Sequence, residues 1–259
     1  MTSQFHPRKL ASSESQACNE THPTMLCREA DEDFRKDCES CCLREIAWSP
    51  DFEAHRYAPD FRRINNISLA SGETLYREEE PGESVYSIRS GLIKLVQYQR
   101  NGAERIVRLL QKGRVAGLEV FVSERYHHTA IVVRSVNVCK IPTGILSCLN
   151  SARPRLYEML LRCWQQSLEM ADLWICQFST GSTEARVARL LLFLTEFGEL
   201  DHSAAVHLLS RQDMAGILGI TCESVCRTIS HFRHSGVIRQ SAPGLYGVDL
   251  DALRTMASK

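Results

Sequence analysis

The segment from Ser210 to Gly236 constrains its own local structure more tightly than any other part of the chain. Ser210-Arg-Gln-Asp213 has the form of a helix start: a hydroxyl able to accept from an amide three residues on, with a carboxylate at that position. Met214, Ile217 and Leu218 give the helix an apolar face. Gly219-Ile220-Thr221 makes a tight turn, and Thr221 can cap a second helix, Cys222 to His234, which Ser235-Gly236 ends. Val237 to Gln240 and Leu245 to Val248, separated by a turn at Ala242-Pro-Gly244, then read as a short hairpin. Asp249 or Asp251 caps a last short helix. Two short helices across a glycine turn are the arrangement that lays the second helix in the DNA major groove, with the hairpin as a wing. The exposed face of that helix would carry Glu223, Cys226 and Arg227, with Thr221 and Ser224 beside them. Arginine bonds guanine bidentately, and glutamate accepts from the cytosine amino group. Arg211, His231, Arg233 and His234 are placed to meet phosphates. The plainer alternative is a helical hairpin in which Glu223 and Arg227 form a surface ion pair.

Upstream, Pro154 opens a stretch in which Leu156, Met159, Leu160, Cys163, Trp164, Ser167, Met170, Ala171, Trp174 and Phe178 recur at steps of three and four. That is one face of a long helix, started by proline and ended before Gly181. So much apolar surface suggests a parallel partner helix in a dimer, through Met159, Cys163, Met170 and Trp174. The alternative is an ordinary core helix. Glu184 to Phe197 forms a second amphipathic helix. Before the long helix, from Ile64, β-branched and aromatic runs alternate with turn signals at Ser71-Gly72, Pro81-Gly82, Ser90-Gly91, Asn101-Gly102, Gly113 and Gly117. Val85 to Ile88, Leu92 to Tyr98, Ile106 to Leu110 and Ile131 to Ile141 read as strands of a compact antiparallel jelly roll. Asn101-Gly102 is the strongest hairpin signal, because both residues tolerate positive φ.

The 31 basic and 31 acidic side chains cancel. Affinity for nucleic acid must therefore come from a local patch rather than from net charge. Met1 to Ser15 has no apolar core of a secretory signal, and no run is long enough for a membrane span. A cytoplasmic protein without a membrane partner is expected. For such a chain eleven cysteines is a high count. In a reducing compartment thiols act as packing groups, metal ligands or redox sensors rather than as a disulfide framework. Cys18, Cys27, Cys38, Cys41 and Cys42 lie in a polar segment whose first 37 residues read as flexible. Cys148, Cys163, Cys176 and Cys222 read as packing residues. The expected organisation is a cysteine-rich segment over 1–50, a sensory β-domain over 51–150, a dimerisation helix over 153–180 and a winged helix-turn-helix over 181–259, an α+β chain overall. No phosphate-cradling glycine loop, nucleophile elbow or paired-carboxylate motif points to an enzyme.

This order of elements resembles the CRP/FNR superfamily of transcription regulators. The resemblance rests on Ile88-Arg-Ser-Gly-Leu-Ile-Lys94, Gly113 to Phe121, Val138-Cys-Lys-Ile-Pro142, Ser182-Thr-Glu-Ala-Arg186 and above all Leu209 to Gly236. It implies a β-roll like that of cyclic-nucleotide-binding domains, a homodimer on palindromic promoter DNA and contact with RNA polymerase. The branch that binds cyclic AMP needs a glutamate just after the glycine here numbered 117, and an Arg-Ser pair for the phosphate. This chain has Leu118 and His128-Thr129 there, so the main charge-assisted bond is missing and cyclic AMP is not expected.

The chain is most similar to the oxygen-sensing FNR branch, which holds a [4Fe–4S] cluster on N-terminal cysteines and one from the β-roll. Cys38-Glu-Ser-Cys41 matches the paired ligands, and Cys139 matches the distant one. Thiolates are soft donors suited to such clusters. The branch has a further cysteine a few residues after the pair, where this chain has Ala47. Cys42 and Cys27 are the alternatives for the fourth ligand. Cys139 could equally be a buried strand residue, and Cys38, Cys41 and Cys42 a thiol switch or zinc site. A haem or small-molecule signal, with an axial imidazole from His127-His128, is a further alternative.

Overall fold

The computed structural model describes residues 65–100, 102–144, 154–196 and 205–258. Cys18, Cys27, Cys38, Cys41, Cys42 and Cys148 lie outside the described residues, as do the 1–50 segment and Ala47. Six strands come first: β1 (Asn65–Leu69), β2 (Thr74–Tyr76), β3 (Ser84–Tyr98), β4 (Glu104–Gln111), β5 (Val115–Ala116) and β6 (Thr129–Pro142). They form one antiparallel sheet in the order β1-β6-β3-β4, with β2 on β6 and β5 on β3. The chain then enters α1 (Pro154–Phe178) and α2 (Thr183–Glu196), followed by β7 (Ala205–His207), α3 (Arg211–Leu218) and α4 (Cys222–His234). The hairpin β8 (Ile238–Ala242) and β9 (Leu245–Val248) and the closing helix α5 (Leu250–Ala257) complete it. Among the described residues no helix is long and apolar enough to cross a membrane.

Ser90-Gly91 does not end a strand. β3 runs straight through it, and the register against β6 slips between Ile88 and Ser90 and again after Ser90. Gly91 sits at φ 84°, and a Cβ there would collide with the Ser135 carbonyl oxygen. The glycine is therefore a bulge that bends a long strand, rather than a turn between two short ones. Gly102, at φ 78°, does close the expected β3–β4 hairpin. β7 had no signal in the sequence. It is three residues long and pairs with β9, making the wing three-stranded.

A single apolar cluster runs from the sheet through α1 and α2 into the helix-turn-helix. Leu92, Val96, Ile106 and Leu109 enter it from β3 and β4, and Met214, Ile217, Val225, Ile229 and Phe232 from α3 and α4. Trp174, Phe178 and Phe193 lie at its centre, edge to face, with ring centroids 4.9–5.8 Å apart. Such pairs are worth about 0.5–1.5 kcal/mol each beyond their burial. Arg186 and Arg189 of α2 cap the end of α1. Arg186 Nε donates to the Phe178 carbonyl at 2.7 Å, and Arg189 Nη1 donates to those of Gln177 at 2.9 Å and Thr180 at 2.7 Å. These bonds satisfy acceptors that a helix C-terminus leaves open.

α1 presents two apolar stripes. Met159, Cys163, Trp174 and Phe178 are buried within the chain itself, and Met170 packs against the same cluster. Of the residues expected at a dimer seam, Trp174 belongs to the intramolecular cluster and Met170 packs against it, while Met159 and Cys163 are buried in the chain. The exposed stripe is Leu161, Leu168 and Ile175, spaced by seven and 62%, 61% and 62% accessible.

The sheet also grips α3 directly. Lys94 Nζ of β3 lies 2.7 Å from Glu104 Oε1 and 2.6 Å from Asp213 Oδ1, with all three side chains largely covered. Gly216 of α3 also faces β4, where a Cβ would make van der Waals contact with Ile106 at 3.4 Å.

Candidate nucleic-acid interface

The two helix starts read from the sequence form as expected. Ser210 Oγ accepts from the Asp213 amide at 2.9 Å, and Thr221 Oγ1 accepts from the Ser224 amide at 3.2 Å. Gly219 takes the left-handed conformation between the helices, at φ 61°, with the Arg105 guanidinium lying against its Cα. The left-handed backbone is what favours glycine there, since the guanidinium is the far end of a flexible side chain and can move aside. Val225, Ile229 and Phe232 bury one side of α4 and so fix its rotation. The opposite side leaves Cys222, Glu223, Cys226, Arg227 and Ser230 exposed.

Glu223 and Arg227 point outward, 84% and 74% accessible, and pair with each other at 3.2 Å. An exposed pair at this spacing is weak, about 0.3–0.5 kcal/mol, so DNA can take either partner at little cost. Ser224 is half-buried, and its hydroxyl lies 2.9 Å from that of Thr221. Both hydroxyls are engaged at the helix start. Arg211, the first residue of α3, lies 3.7 Å from the Met214 sulfur and also bears electrostatically on Cys222 at the start of α4. His231 pairs with Glu184 of α2 at 3.1 Å, and His234 Nδ1 lies 2.7 Å from the Ser230 carbonyl. Both histidines thus have partners within the chain. Arg233 is exposed on α4, and Arg239 is exposed on β8 of the wing. Arg239 was missed in the sequence, where it stands as the single cation of an otherwise uncharged hairpin strand.

In the β-roll, Tyr76, Tyr86 and Tyr126 stack in the core, Tyr76 to Tyr126 at 3.9 Å and Tyr76 to Tyr86 at 5.7 Å. Tyr126 donates to the Ser84 carbonyl at 2.7 Å. The short helix Leu118–Phe121 follows Gly117, which is left-handed at φ 80°. Leu118 is buried, and the next residue, Glu119, reaches His128 at 3.5 Å. Burial pushes the Glu119 carboxyl up, but hydrogen bonds from His128 and from backbone amides outweigh it and hold the group below its usual range. Thr129 is buried and accepts from the Glu78 amide at 3.1 Å. His127 is exposed, with its ring 2.9 Å from the Ser123 hydroxyl. The Glu119–His128 contact was missed because the glutamate stands one residue past the position the resemblance calls for.

Cys139 is buried in β6, where it lies opposite Ser87 of β3 on one side and Asn66 of β1 on the other. Strand alternation puts it on the face opposite Val138, whose side chain is in the roll's core. Among the described residues no group of three His, Cys, Asp or Glu side chains is placed to hold a metal ion. Cys27, Cys38, Cys41 and Cys42, the other ligands read from the sequence, are outside them.

Known proteins share both halves of this arrangement. Residues 66–149 match the cyclic nucleotide-binding domain family, and residues 185–256 match the Crp-like helix-turn-helix domain family. The transcriptional activator protein anr of Pseudomonas aeruginosa is 29% identical over 192 residues, covering 73% of this chain and 78% of its own. Electron transport regulator A of Shewanella oneidensis is 28% identical over 192 residues, covering 73% and 77%. The solved structure of FixK2 from Bradyrhizobium japonicum has the same fold, with a TM-score of 0.67 at 22% identity, covering 74% of this chain and 96% of that one. With the β-roll, the long helix and the winged helix-turn-helix in this order, the chain belongs to the CRP/FNR family of DNA-binding transcription regulators.

Proposed function

We propose that the protein is a homodimeric regulator of palindromic promoters that responds to oxygen or redox state through a [4Fe–4S] cluster on Cys38, Cys41, Cys139 and either Cys42 or Cys27. The observation that carries this reading is the pairing of Cys139 with Asn66, at the head of β1. The chain leaving the cysteine-rich segment joins the sheet beside the one roll cysteine that the ligand set needs. An extended chain spans about 3.3 Å per residue, so the segment from Cys42 to Asn65 is long enough to return to Cys139. A thiol donor set suits iron–sulfur chemistry and no hard cation. When bound, such a cluster supplies an oxygen-labile, redox-active group. Cys139 then ties the N-terminal segment to β6, and through β3 to Lys94 and α3. The names of several relatives support the reading: an anaerobic regulatory protein, a fumarate and nitrate reduction regulatory protein and an electron transport regulator. Cyclic AMP is not the proposed signal. Glu119 puts a carboxylate against His128, where a cyclic phosphate would need a cation, and the Thr129 hydroxyl is already engaged.

Promoter reading rests on Glu223 and Arg227, with Arg211 and Arg233 on phosphates and RNA polymerase as the further partner. Cys226 offers only a weak hydrogen-bonding group where the related regulators have serine, so discrimination at its base should be relaxed. The dimer runs through Leu161, Leu168 and Ile175, whose sevenfold spacing makes a seam for a second α1.

Three outcomes are expected. Arg227→Ala should weaken binding to the specific site by about 1–3 kcal/mol and to random DNA hardly at all, in filter or anisotropy titrations at fixed salt. Equal losses on both would show that Arg227 only holds phosphate. Leu168→Glu should shift light scattering toward the monomer, because two carboxylates would face each other across the seam. An unchanged dimer would place the interface elsewhere. In protein prepared without air, Cys139→Ser should lose iron together with Cys38→Ser and Cys41→Ser, while Cys148→Ser keeps it. The fourth ligand is whichever of Cys27→Ser and Cys42→Ser also loses it. Full iron in Cys139→Ser, or zinc in the wild type, would overturn the cluster.

A further inference from the structure

Two cysteines stand one turn apart at the start of α4, and the packing of the domain does not require either to be a thiol. Cys222 is the first residue of the helix and Cys226 follows four later. Both are exposed. Residues at this spacing share one helix face. Cys226 bears electrostatically on the Cys222 thiol, as neighbours on one helix face do. The Thr221 cap and the buried Val225 and Ile229 hold the backbone that carries them, so both sulfurs face outward on a fixed frame.

We infer that Cys222 and Cys226 form a two-thiolate site for a soft, thiophilic metal or metalloid ion, and that filling it closes the α4 face to DNA. The site itself stands on geometry; its effect on DNA rests on the reading of α4 proposed above. Chelation fits the spacing better than oxidation does. Cβ atoms at this spacing are about 5–6 Å apart. A disulfide wants about 3.5–4.5 Å and would distort the helix. An interposed ion, with metal–sulfur bonds of about 2.3 Å, spans the gap. Sulfur pairs are also the donors that soft ions select. Desolvation and the neighbouring Cys226 raise the Cys222 thiol above its ordinary value, against a smaller opposing effect of the Arg211 guanidinium. Capture therefore displaces two protons and strengthens as pH rises.

Phenylarsine oxide is a suitable probe. Two S–H bonds break and two arsenic–sulfur bonds form. The oxygen leaves as water with both protons, and arsenic stays trivalent. The test uses reduced, full-length protein with the probe, followed by tryptic digestion and mass spectrometry. Cleavage after Arg211 and Arg227 gives a fragment, 212–227, that carries Cys222 and Cys226 and no other cysteine. One phenylarsenic bridge on that fragment is expected in the wild type, and none in Cys222→Ser or Cys226→Ser. A wild-type fragment without the bridge overturns the site. On DNA, the probe should weaken wild-type binding roughly tenfold or more, the scale of one lost base contact. Without the probe Cys222→Ser should bind like the wild type, and with it the wild type should lose roughly tenfold more affinity than Cys222→Ser, whose remaining loss reports the probe's action on the other cysteines. If the bridge forms but both proteins lose affinity equally, the site stands and its effect on DNA is overturned. The Arg227→Ala titration tests the reading of α4 independently of either result.

Discussion

The edge-to-face contact of Trp174 and Phe178 with Phe193 is the point on which the rest of the molecule depends. It lies where the long helix ends and the helix-turn-helix begins, and the apolar cluster continues from it in both directions. The end of α1 would otherwise leave unpaired carbonyls at this junction. Arg186 and Arg189 take them up from α2, and Arg189 Nε also donates to the Ala257 carbonyl of the closing helix at 2.8 Å. One arginine thus ties α1, α2 and α5 together. The result is a packed and hydrogen-bonded corner, and it sets where α4 sits.

A second link joins the two halves away from that corner. Lys94 reaches from the sheet to Asp213 at the start of α3. Desolvation pushes the Lys94 ammonium down, but hydrogen bonds to Asp213 and Glu104 outweigh it and hold its pKa above the usual lysine value. A raised lysine contributes stability that is fully present below its unfolded-state pKa and is lost only as pH rises through the folded one. The link is therefore intact at neutral pH. It connects the roll to α3 directly, without passing along α1.

Much of this was legible in the sequence wherever local chemistry decides. Ser210, Thr221 and Asp249 announce the three C-terminal helices, because a capping side chain acts on an amide two or three residues away. The reading faltered where partners are distant. Ser90-Gly91 looks like a turn, and only the Ser135 carbonyl on another strand makes it a bulge. α1 carries two apolar stripes, and periodicity alone does not say which is inward. Trp174 faces the chain's own core, where β3, β4 and α2 contribute to the same cluster. Ser224 reads as a DNA contact, and the structure adds that its hydroxyl lies 2.9 Å from that of Thr221. His231, one of four side chains placed to meet phosphates, pairs with Glu184, forty-seven residues earlier in the chain.

The central claim is that one face of β3 and β4 in the roll and the helices of the DNA-binding half share one packed apolar cluster. Native-state hydrogen exchange across a denaturant series tests it most directly, because the slowest amides of each part report the free energy of the opening that exposes them. A shared cluster predicts that the slowest amides of β3 and β4 and those of α2 and α4 converge on one free energy. Amides of α4 that exchange through a separate opening, at clearly lower free energy than those of β3, would contradict it.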